Sequence, residues 1–136
     1  MDDVALTEQV LGILAKVPTW VYDPDADSLP ADKVGLFYGA IQPNPDRAIG
    51  VRVYGSTEDD VHWRRVQLRF RGAPYDVAGA DALAGIAFTV LHELSRVGGI
   101  SDIRRISAGP LGADSSAREE RADNYQIILD NPEAIQ

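Results

Sequence analysis

The sequence predicts an α+β fold: a single domain, residues 1–136, with two helices packed on one face of a mainly antiparallel sheet, in the order α-β-β-β-α-β-β. Two observations carry that reading. Apolar residues recur at three- and four-residue intervals in Val4 to Val17 and again in Asp76 to Val97, the period of a helix with one buried face. They alternate with polar residues in Ile49 to Tyr54 and in Arg65 to Arg71, the period of a strand with one wet face.

The first helix places Leu6, Val10, Ile13, Leu14 and Val17 inward, with Asp2 or Asp3 as its cap and Pro18 as its stop. Asp23 to Pro30 is turn chemistry, rich in aspartate and proline. Val34 to Ile41 reads as the first strand, and Asn44-Pro45-Asp46 separates it from Ile49 to Tyr54. Ser56 to Asp60 marks a polar hairpin tip. Beyond it Val66, Leu68 and Phe70 point inward while Gln67, Arg69 and Arg71 point outward. The second helix turns Val77, Ala80, Leu83, Ala84, Ala87, Leu91 and Leu94 to the sheet and ends at Gly98-Gly99. Its alanines favour close approach. Asp102 to Ala108 and Asn124 to Leu129 are the last strands.

Between those two strands, Ser107 to Tyr125 reads as a long connection, a length that in a compact domain is functional or disordered. Leu111 is its only sizeable apolar residue before Tyr125. Four acids (Asp114, Glu119, Glu120, Asp123) alternate with Arg118 and Arg121. Such a segment needs something to pack against, and a second copy of the chain is the expected partner.

Bulk composition narrows the function classes. The formal charge of −8 disfavours binding by phosphate neutralisation, although six of the eleven arginines fall between Arg47 and Arg71. The absence of cysteine excludes disulfides and thiolate metal sites and fits a reducing cytosol. No apolar run approaches the ~20 residues of a membrane span. The start Met1-Asp2-Asp3 is acidic where a secretory leader is basic, so a soluble cytosolic protein with no membrane association is expected.

Catalytic and metal chemistry find no anchor. Asp23-x-Asp25-x-Asp27 opens like a calcium loop, but Ser28 and Val34 stand where a glycine and a bidentate acid are needed. Glu58, Asp59, Asp60 and His62 read as a solvated turn rather than a cation site. His62 and His92 are too far apart in sequence for a helical zinc pair. Phosphate-cradling and nucleophile-elbow motifs are absent. No cofactor, metal or catalytic residue is therefore expected.

Arginine is the more informative residue. Arg52, Arg69 and Arg71 fall on one face of neighbouring antiparallel strands. That face is either ordinary solvated surface or a docking surface, since a guanidinium fork pairs well with carboxylates. An acidic surface and a basic one on the same chain suit a head-to-tail contact, which closes into a ring or grows into a filament.

Here the chain is similar to the tail terminator proteins of long-tailed bacteriophages, also described as minor tail or minor capsid proteins. The residues that carry the resemblance are Asp46-Arg47-Ala48 leading into an alternating strand, then Val66-Gln67-Leu68-Arg69-Phe70-Arg71-Gly72. After the alanine-rich helix come Pro110-Leu111-Gly112-x-Asp114 and Arg118-x-Glu120-Arg121-x-Asp123-Asn124-Tyr125. It spans about residues 4 to 130 in order; Thr19 to Asp32 departs from it.

The resemblance implies a small α+β fold without enzymatic activity. It implies a hexameric ring in the virion, assembled in the host cytoplasm. Such a ring would sit on the head-proximal end of the tail tube, ending tube growth and meeting the neck or head-completion protein. It further implies contact roles for Arg47, Arg69, Arg71, Arg118, Glu120, Arg121 and Asp123. DNA would pass through without specific binding; six copies of −8 sum to −48, which repels phosphate. Exposed ion pairs are worth only ~0–1 kcal/mol each, so Leu111, Tyr125 and Trp63 are the expected apolar contacts. Two other readings stand beside this one: a neck protein that closes the head, and a monomeric nucleic-acid-binding module using the Arg52/Arg69/Arg71 face.

Overall fold

The computed structural model describes residues 1–57 and 63–130; Glu58, Asp59, Asp60 and His62, expected at a hairpin tip, lie outside them. Helix α1 runs Asp3–Leu14, and the Asp2 carboxylate accepts from the Ala5 N–H at 2.7 Å, satisfying one of the orphan amides of the first turn. The helix ends before Val17, which the periodicity had included. Lys16 and Val17 instead donate to Ile13 and Leu14 in tight turns, because Pro18 disfavours helical geometry at the residue before it.

Six strands follow: β1 (Trp20–Val21), β2 (Val34–Tyr38), β3 (Ala48–Thr57), β4 (Trp63–Pro74) and, after helix α2 (Gly79–Leu91), β5 (Ile100–Ala113) and β6 (Arg118–Leu129). This is the expected order with the short β1 added. They form one sheet ordered β1-β2-β3-β4-β6-β5. The β1–β2 and β2–β3 pairs are parallel, and the other three are antiparallel.

One face of the sheet is apolar. Ile49 and Val51, then Val66, Leu68 and Phe70, then Ile127 and Leu129 all point to it and pack against α1 and α2. Burying each large side chain contributes about 1.5–3 kcal/mol, so this layer holds the fold. Two glycines set its close approaches. At Gly72 of β4 an added Cβ would press on the backbone of Gly79 and Ala80, where α2 begins. At Gly50 of β3 it would collide with the Gly39 carbonyl, where the chain after β2 folds over the opposite face.

Helix α2 is shorter than its apolar period implied. Val77 stands 76% exposed ahead of it rather than on its inner face. At the other end His92 is extended (ψ 129°), and Glu93 and Arg96 have φ of 65° and 55°, so the chain unwinds before Gly98-Gly99. Leu94 and Val97 pack on the core from this irregular stretch.

The largest correction concerns Ser107 to Tyr125. It is not a loop but most of a long antiparallel hairpin, with β5 running to Ala113 and β6 starting at Arg118. Gly109, Pro110 and Gly112 look like turn residues in the sequence. In the sheet, register shifts between Arg105 and Ser107 and between Pro110 and Gly112 accommodate them. The turn itself is short. The Asp114 carboxylate accepts from the Ser116 and Arg118 N–H groups at 2.9 and 3.0 Å, and Ala117 takes a φ of 60°.

Candidate assembly surfaces

The hairpin is anchored near its middle by a buried charge. Asp123 lies on the core face of β6 with no exposed surface, yet it carries a carboxylate. Arg121 donates to it from Nε at 2.7 Å, and Arg105 of β5 from Nη1 at 3.4 Å. Arg105 also lays its guanidinium over the Phe88 ring at 4.2 Å, and Phe88 stacks on His92 at 4.4 Å. His92 Nδ1 accepts the Arg105 backbone N–H, and Arg121 reaches Asp81 at 3.1 Å. Two arginines thus tie both hairpin strands to α2. Beside them Tyr125 is fully buried, and burial pushes its phenol well above the ordinary range.

A second clamp holds the tip end on the opposite face. Arg71 is only 5% exposed: its Nε donates to the Asp46 carbonyl, and its Nη2 to the carbonyls of Gln42 and Pro45, each at 2.8 Å. Burial lowers its pKa from the usual arginine value. Arg118 donates to the Pro43 carbonyl at 2.8 Å, to Asp46 Oδ1 at 3.2 Å and to Asp114 Oδ2 at 2.8 Å. These contacts fasten the segment after β2 to the hairpin. The Asp114 carboxyl is held below the usual carboxylate range, chiefly by the Arg118 N–H.

The remaining candidates are more open. Arg69 pairs with Glu120 at 2.9 Å across the β4–β6 ladder, and its side chain stays 51% exposed. Arg47 donates to the Asp32 carbonyl at 2.8 Å. Arg52 is exposed and makes no ion pair or hydrogen bond among the described residues. As the strand alternation predicts, Arg52, Arg69 and Arg71 share the outer face, and with Gln67 they line a groove of about 480 Å³ floored by Gly39 and Gly50.

Leu111 is 52% exposed near the end of β5. Ile106, which sequence reasoning passed over, is 46% exposed because the register shift between Arg105 and Ser107 falls on it. From Ile106 to Ala113, β5 is paired on one edge only and is largely open on both faces. Tyr125, by contrast, belongs to the interior. Arg105, Asp46 and Asp81 were also missed, since their partners are set by register and packing rather than by neighbours in sequence.

The fold has a solved counterpart. A chain in the virion of a native gene transfer agent particle superposes with a TM-score of 0.62 at 12% identity, over 93% of this chain and 95% of that one. At this identity the likeness is one of fold. Among curated proteins, none matches the sequence. The model of the family described as bacteriophage tail terminator protein matches residues 14–131, a span that holds all six strands and helix α2, and this chain belongs to that family.

Proposed function

We propose that the protein assembles as a hexameric ring on the head-proximal end of a tail tube. There it ends tube polymerisation and presents the surface that the neck of the filled head joins. It acts without catalysis, cofactor or metal. Membership of the tail terminator family and the fold shared with a chain of a gene transfer agent virion support a structural role in the particle. Assembly in the host cytoplasm is part of the same proposal.

The observation that carries the ring reading is the outer half of β5. A strand with one unpaired edge and exposed Ile106 and Leu111 is a liability in a monomer and a ready contact in an assembly. Internal clamps near the middle and at the tip of the hairpin hold that edge in place, so little ordering entropy opposes docking. The −48 formal charge of six copies keeps the lumen from gripping DNA as it slides. The nucleic-acid reading has less to rest on. Of its three arginines, Arg71 is buried and Arg69 is paired.

The test is tail assembly in vitro from tube protein with and without this chain. The reading expects tubes of uniform length bearing six copies at one end. Unchanged tube length, with the chain recovered as a free monomer, would refute it.

A further inference from the structure

Ion pairing inside the chain decides which charges are left to meet a neighbour. Of the hairpin's four acids, Asp114 pairs with Arg118, Glu120 with Arg69, and Asp123 with Arg121 and Arg105. The acidic ribbon that looks like a docking strip is therefore largely neutralised at home. The same holds for the arginines beside it: Arg71, Arg118 and Arg121 point their donors at carbonyls and carboxylates of their own chain. On the outer groove this leaves Arg52, exposed and without an ion pair among the described residues. Arg69 adds a half-exposed guanidinium that donates to Glu120 through Nε.

The unmatched acids lie elsewhere. Asp23, Asp25 and Asp27 fall within five residues between β1 and β2, all are exposed, and none forms an ion pair among the described residues. The turn is already shaped: the Ala26 N–H donates to the Asp23 carbonyl, and the Asp25 N–H to the Asp23 carboxylate. A preformed loop with three carboxylates outside any ion pair among the described residues matches a groove with an unpaired guanidinium fork.

We propose that the Asp23–Asp27 turn of one copy docks in the Arg52/Arg69 groove of the next. This contact rests on the reading that copies of the chain meet, and it names the surfaces that do so. Repeated in one direction the contact runs head to tail and can close a ring, whereas reciprocal pairing of two copies gives a two-fold dimer; salt weakens either.

Charge reversal tests it in the full-length protein by native mass spectrometry and light scattering, alone and on tube ends. Arg52→Glu, at an exposed site, should leave the circular dichroism unchanged and weaken assembly about tenfold or more, since like charges then face each other. The combined change Arg52→Glu with Asp23→Arg, Asp25→Arg and Asp27→Arg should restore it. Hexamers lost in the single variant and regained in the combination support both the contact and the ring. A two-fold dimer dissolved by Arg52→Glu supports the contact and overturns the ring. Hexamers indifferent to Arg52→Glu, or not regained in the combination, overturn the contact and leave the ring standing. Wild-type protein that stays monomeric even on tube ends overturns both.

Discussion

The sheet body and the β5–β6 hairpin are stabilised by different forces. In the body, Ile49, Val51, Val66, Leu68 and Phe70 alternate cleanly and face two apolar helices. The outer half of the hairpin has no helix over it. It is held by the cross-strand ladder, by Arg105 and Arg121 on a buried Asp123, and by Arg71 and Arg118 on the carbonyls of residues 42 to 45. Apolar burial carries no charge for dilute salt to screen or pH to titrate, whereas partly exposed ion pairs are weakened by both. The body therefore provides stability, and the hairpin provides a shaped edge that solution conditions can loosen without unfolding the protein.

Truncating the body should give the largest effect. Phe70→Ala removes a fully buried ring and is expected to cost about 3–5 kcal/mol in denaturant unfolding. Asp123→Ala comes next. It strands two guanidinium groups against the interior and should cost about 3 kcal/mol, the low end for a broken buried pair because both arginines remain partly wet. If Asp123→Ala cost as little as a surface change, the buried clamp would hold the hairpin no more firmly than the exposed tip contacts do.

Arg118→Ala should be milder, about 1 kcal/mol globally, because it releases only the tip. Its signature is faster amide exchange at residues 43–46 and 114–118 with the body unchanged. A pH titration gives the smallest effect. The folded Asp114 carboxyl is depressed, so its contribution is present above the unfolded carboxylate value of about 4 and is lost as pH falls through the lower folded value. NMR titration should show the tip loosening on acidification while the core signals hold, and a tip equally ordered once Asp114 is protonated would contradict this.

Much of the body was legible because one physical signal dominates it. In β4 burial alternates residue by residue from Trp63 to Phe70, and breaks at Arg71, which the segment after β2 covers. The hairpin was illegible for the opposite reason. Its glycines and proline mimic turn punctuation that register shifts absorb, and Asp123 occupies an inward position where a carboxylate argues against a strand. Only tertiary partners make that position tenable. Strand β1 is two residues long and leaves no period to detect. The shared face of Arg52, Arg69 and Arg71 followed from alternation alone, but which of them stay free depends on residues 42–46 folding over Arg71 and on Glu120 lying beside Arg69. Burial of Tyr125, read from the sequence as a contact residue, follows the same rule as Val66 opposite it in the ladder.

Leu111→Asp bears most directly on the claim that the hairpin edge exists to be covered. Leu111 is half exposed, so the substitution should leave the unfolding free energy within about 0.5 kcal/mol of wild type. Native mass spectrometry of tube ends mixed with the variant should then find no six-copy ring where the wild type forms one. A Leu111→Asp protein that assembles as well as the wild type would show that this edge is not the contact.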